Sequence, residues 1–160
     1  MKIHLVLALT LLFVMTGCAH NISDKSLALV DRSITFDRLL ENPEGYRGKF
    51  VVFGGKIEAA EKRAEGIRLE IRQYDLDGRE LPDETAVSRG RFLAVATGSL
   101  KISICRTGRL ASIAGEVVGR EVLPSAGVDY VYPVISVREI HLFSFPGEDP
   151  FQTWIPDSPR

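Results

Sequence analysis

Polar and apolar residues alternate along most of this chain with the period of β-structure. Ile67, Leu69 and Ile71 alternate with Arg68, Glu70 and Arg72, the pattern of a strand with one face buried and the other in water. Upstream, Lys49 to Ala60 is rich in β-branched and aromatic residues and carries Gly54-Gly55 in its middle. Glycine inside a strand marks a bulge or a sharp bend. Gly90 to Ala96 and Leu110 to Val122 read as a third and fourth strand, the latter again interrupted by Gly115 and Gly119. Tyr130 to Phe145 is a last strand or strand pair; Pro133 within it suits an edge or a bulge, having no amide hydrogen for a ladder. Turns are predicted at Glu61 to Gly66, Asp75 to Gly78 and Leu123 to Asp129, with an irregular connection at Gly98 to Arg109 that has room for one short helix. The helical period appears in Ser33 to Asn42. There Thr35 can cap, Asp37 sits in the first turn, and Phe36, Leu39 and Leu40 share a face before Asn42-Pro43 stops it.

Five or six strands bent by internal glycines predict an all-β fold, a small OB-like closed or partly open β-barrel with one short N-terminal helix. A β-sandwich is the alternative, because the same alternation serves both. The N-terminus departs from this pattern. Lys2 precedes a mainly apolar run from Ile3 to Met15, which as a helix would cover about 20 Å, short of a bilayer core. Residues 1–17 therefore read as a signal peptide. Residues 18–32 are polar and mixed and read as a tether, unless Leu27 to Val30 packs onto the domain as a short strand. Residues 33–145 form the barrel domain. Residues 146–160, with four prolines, form an extended tail along the surface.

Composition narrows the function. The 160 residues are 45% hydrophobic and 26% charged, which suits one ordinary domain. The 20 Lys and Arg nearly balance the 21 Asp and Glu, and loss of the signal peptide removes Lys2 and no acid. A nucleic-acid partner is thereby disfavoured, and no polybasic patch is left for anionic lipid. Two cysteines make no disulfide framework, and no His/Cys spacing suits zinc. Asp75, Asp77, Asp83 and Glu84 lack the spacing of a calcium loop and read as solvated hairpin carboxylates. Cys105 reads as a structural thiol; the alternatives are a nucleophile served by His141, or an intermolecular disulfide in an oxidising compartment. His141, between Ile140 and Leu142, is expected to face outward. The sign-alternating run Glu58 to Arg68 reads as a solvated turn, with a partner-docking rim as the sharper idea. With no nucleophile elbow, dinucleotide fingerprint or P-loop, the expectation is no enzyme, no cofactor and no metal.

Two resemblances give the chain a context. Met15-Thr16-Gly17-Cys18 resembles the lipobox of bacterial lipoproteins, which implies acylation, palmitate included, of Cys18 as the mature first residue. Ala19, in place of aspartate, implies sorting to the outer membrane. Further on, Gly45-Tyr46-Arg47-Gly48-Lys49 with Phe53-Gly54-Gly55-Lys56-Ile57 resembles the opening of the Slp family of outer-membrane lipoproteins. Gly90 to Ala94, Ala114 to Gly119 and Tyr130 to Val134 resemble its later segments, in the same order. The resemblance implies a non-enzymatic lipoprotein of the cell outer membrane, its domain in the periplasm, associated with carbon starvation, stationary-phase stress and envelope integrity. Its partners would be the membrane, through the lipid, and an envelope protein or glycan. The alternative is a periplasmic OB-like module that binds a peptide, glycan or small ligand.

Overall fold

The structure, a computed structural model, describes residues 20–145 and the backbone of residues 152–154. The signal peptide, Cys18 and most of the proline-rich tail lie outside the described residues. Strands β1 (Phe50–Arg63), β2 (Gly66–Tyr74), β3 (Arg91–Thr97), β4 (Leu110–Ser125) and β5 (Val128–Leu142) make one sheet, extended by β6 (Gln152–Trp154). Neighbours run β3-β2-β1-β4-β5-β6, and β3 also pairs in parallel with β5. That last ladder, Leu93 to Val95 against Val134 to Ser136, closes the sheet on itself. The circuit β1-β2-β3-β5-β4 is an OB-like five-stranded barrel, and the closure removes the sandwich alternative.

Closure needs long strands that bend. The first half of β1 pairs with β4 and the second half with β2, so Gly54 to Lys56 is claimed by both neighbours. A Cβ on Gly55 would stand 1.8 Å from the Arg72 carbonyl oxygen, and one on Gly115 would stand 2.2 Å from that of Ser136. Only glycine lets these backbones approach so closely. Register shifts between Ile57 and Ala59 on β1, and at two places between β4 and β5, add to the curl.

The interior is filled. Ile57, Leu69, Ile71, Ile113, Ile135 and Ile140 are fully buried in one cluster. Among the described residues two short α-helices precede the barrel, α1 (Asp24–Leu27) and α2 (Phe36–Glu41). The expected helix is α2, capped by the Thr35 hydroxyl, which accepts from the Arg38 amide at 3.4 Å. Its Phe36 joins Phe53 and Phe92 in an aromatic cluster with ring centroids 5.4 to 6.4 Å apart. The connection after β3 holds a 3₁₀ turn at Ile102–Ile104, the short helix for which it had room.

Two local expectations are corrected. His20 to Arg32 is no free tether: it packs on the barrel, and Asp24–Leu27 is helical where a strand was the alternative. The turn expected over Leu123 to Asp129 shrinks to Ala126-Gly127, both at positive φ, because β4 and β5 continue as a tight hairpin arm. Pro133, expected at an edge or a bulge, does sit beside the register shift at Val117/Gly119, and it lies immediately before the residues that pair with β3, so it interrupts no closing ladder.

Gly55→Ala should cost at least about 3 kcal/mol or prevent folding, since the obstacle is backbone and cannot move aside. Gly78→Ala, with nothing within 4 Å of the new methyl, should leave stability within about 0.5 kcal/mol. Urea midpoints of the two variants against the parent protein check the contrast.

Candidate functional site: the clamp on the N-terminal chain

On the outer wall of β4 and β5, paired residues share a side. Ile113 and Ile140 point inward, so their neighbours Ser112, Ala114, Glu139 and His141 point outward. All four are nevertheless buried. The cover consists of residues 20–30 and the loop that follows β2.

Glu139 is 1% exposed, and a buried carboxylate demands donors. It receives three from the start of α1: the Ser23 amide at 2.9 Å, the Ser23 hydroxyl at 2.6 Å and the Ser26 hydroxyl at 2.5 Å. The same Ser23 caps α1, accepting from the Ser26 amide at 3.4 Å. Beside it Ile22 is fully buried.

The loop makes the second half of the clamp. His20 Nδ1 lies 3.0 Å from the Glu80 carboxylate, and the Asn21 side-chain amide donates to the Arg79 carbonyl at 2.5 Å. Glu80 is 4% exposed and holds φ at 60°, a left-handed conformation that costs a non-glycine residue about 1–2 kcal/mol. The surroundings enforce it: the Ser112 hydroxyl donates to the Glu80 carbonyl, and Asp77 accepts from the Arg79 and Leu81 amides at 2.7 and 2.9 Å. Those two amides, Leu81's foremost, hold the Asp77 carboxyl below its usual range.

The residues singled out from sequence fall as follows. Cys18 lies outside the described residues. The hairpin carboxylates are committed within or near their loop: Asp83 accepts from the Thr85 hydroxyl at 2.6 Å, Asp75 pairs with Arg89 at 3.3 Å, and Glu84 pairs with Lys56. Cys105 is 1% exposed in the core, and its thiol donates to the Lys101 carbonyl at 3.8 Å. Burial pushes the thiol up to about 11, against a weaker pull from Arg109, so it is protonated at neutral pH and a poor nucleophile. His141 does point away from the barrel interior, but the cover buries it beside Phe143, whose ring centroid is 4.6 Å away. Burial lowers its basicity, and Glu139 opposes this only in part.

The charge run is a solvated turn at its tip, where residues 61–65 are exposed, and its ends join an ion-pair network. Arg68 bridges Glu61 and Glu121, each at 2.7 Å. Glu58 binds Arg72 and also Arg91, the latter at 2.7 Å. Arg91 donates to the Ser125 hydroxyl at 2.7 Å, and the Tyr132 hydroxyl donates to Glu70 at 2.9 Å. The β4–β5 arm thus lies over the outer face of β2 and β3, the face on which OB folds commonly take ligands. A separate cleft of about 350 Å³ opens between residues 30–37, the start of β1 and the end of β2. Phe53, Tyr74, Asp31, Asp75 and Arg89 line it.

Sequence reasoning missed Glu80 and Glu139 entirely, since an isolated acid in a turn or on an outward strand position carries no signal of burial. Ser23 and Ser26 did carry one: Ser-Asp-Lys-Ser is a good helix N-cap with an acid in the first turn.

A small OB-like barrel whose N-terminal chain is locked to its wall directly after a lipobox-like run has the build of an envelope lipoprotein domain. The chain belongs to the outer membrane lipoprotein Slp family, which it matches over residues 15–156. It is also similar to a protein of Escherichia coli (strain K12) described as "Uncharacterized lipoprotein YeaY", with 34% identity over 82 residues. The match covers 51% of this chain and 42% of that relative, so it spans less than half of the relative's length. No solved structure matches the chain.

Two outcomes follow. A thiol reagent at mild alkaline pH should leave Cys105 unmodified in the folded protein and react fully in denaturant, as intact mass will report. Because His141 binds its proton less readily folded than unfolded, its contribution to stability is complete above the free value of about pH 6.5 and is lost as pH falls from there through the lower folded value. His141→Gln should flatten the slope of the urea midpoint between neutral and mildly acidic pH.

Proposed function

We propose that this chain is a non-enzymatic lipoprotein held at the outer membrane by acyl chains on Cys18, its barrel facing the periplasm and serving envelope integrity under stress. The observation that carries the reading is the span of the family match, which begins at Met15 and so takes in Met15-Thr16-Gly17-Cys18 together with the whole barrel. Several acyl chains bury enough CH₂ groups, at about 0.8 kcal/mol each, to hold the protein without any basic patch. The filled interior and the buried, protonated Cys105 fit a body that works by its surface.

The cleft supports a second reading, a module that binds a peptide, glycan or small ligand. Acids outnumber bases in its lining, and Phe53 and Tyr74 offer aromatic surface, so a cationic peptide suits it best.

Palmitate labelling in cells tests the first reading. The parent protein should take up label and sediment with outer membranes, and Cys18→Ala should lose both; a labelled, membrane-bound Cys18→Ala protein would overturn it. For the second, amide shifts on titration with a cationic peptide should centre on Gln73 to Asp77, and a peptide that perturbs nothing there removes that reading.

A further inference from the structure

The clamp leaves the anchor almost no slack. Ala19 alone separates Cys18 from His20, and two Cα–Cα steps span at most about 7.6 Å. His20 is already bonded to Glu80, and Asn21 holds Arg79 through both its backbone and side-chain amides, at 3.3 and 2.5 Å. Ile22 is buried and Ser23 is bonded to Glu139, so the chain cannot peel away residue by residue without exposing a buried carboxylate.

The loop that receives the chain is equally stiff. Leu76 bridges Pro82, the Asp83 amide donates to the Asp75 carbonyl at 2.8 Å, and the Asp77 amide donates to the Leu81 carbonyl at 3.0 Å. At its crest stand exposed Arg79 and Leu81, the latter 39% exposed. A cation beside an apolar side chain suits the boundary between headgroups and acyl chains. Asp77 and Asp83 are the unfavourable charges nearby, while Glu84 is paired with Lys56.

We propose that the Arg79–Leu81 crest is the membrane-facing edge of the barrel, pressed to the lipid surface by the clamp, and that the β1–β2 hairpin tip at Ala64 points away from it. This rests on acylation of Cys18. The two positions flank β2, whose nine residues span roughly 27 Å. The proposal makes the domain a fixed, oriented body on the bilayer rather than one swinging on a leash.

The test uses full-length acylated protein carrying Cys105→Ala and one new cysteine, Leu81→Cys or Ala64→Cys, each labelled with bimane. The proteins are reconstituted in phosphatidylcholine vesicles containing lipid with a nitroxide high on the acyl chain. Bimane at position 81 should lose roughly half its emission or more, as expected for a group set into the interface, and at position 64 almost none. Adding Glu80→Gly, which keeps the loop backbone and deletes the partner of His20, should weaken quenching at 81 while the protein still floats with the vesicles. Equal quenching at both positions, none at 81 in floating protein, or indifference to Glu80→Gly would overturn the orientation. Parent protein that fails to float would remove the anchor itself, and the orientation with it.

Discussion

Five strands close into a barrel this narrow only where backbones come nearer than any Cβ permits. Gly55 against the Arg72 carbonyl, Gly66 against that of Ala96 and Gly115 against that of Ser136 are such places among the described residues, the first and last at the bends of β1 and β4/β5. Everything else follows from them. The bend in β1 lets one strand serve two ladders, the bend in β4 and β5 carries β5 round to β3, and the enclosed space is then filled by branched aliphatic side chains. Because closure is achieved by backbone approach, the outer walls remain free to vary.

The outer walls are put to two uses. One carries the clamp, where a buried carboxylate and a left-handed glutamate are both held by the N-terminal segment and the loop after β2. Neither is stable alone: Glu139 without its serine donors would be a stranded charge, and Glu80 without its bonds would relax out of the left-handed region. Their mutual dependence turns a polar segment into a part of the domain. The other wall, over β2 and β3, carries the ion-pair network that holds the β4–β5 arm. Single exposed pairs contribute little, but here the Arg68 side chain is only 18% exposed and the pairs draw on β1 to β4, with Tyr132 of β5 bonded to Glu70, which favours one arm position over others. The surface that OB folds often offer to ligands is thus occupied from within, whereas the cleft beside α2 is an open concavity with room for a small partner.

Much of the barrel was legible in the sequence, and the reasons are local. Ile67 to Arg72 alternates strictly because one wall faces the core and the other water. The paired glycines announce bends because no other residue tolerates the approach, and Thr35 with Asn42-Pro43 brackets α2 by capping chemistry. The β4–β5 turn was drawn too wide because Pro124 reads as a breaker, yet at the margin of a projecting arm its missing amide is not needed.

What the sequence determined by itself is therefore the five main strands, the bends, the leader-like apolar run with the cysteine at its end, and the family. Tertiary structure alone decided that residues 20–32 belong to the body of the domain, that Glu80 and Glu139 are buried, and that the charge run holds the arm. The physical reason is that these depend on partners 53, 60 and 116 positions away in the chain. Periodicity and propensity report how a residue meets its near neighbours, whereas the burial of a carboxylate or the docking of a polar segment is set by which distant donors the closed barrel brings alongside.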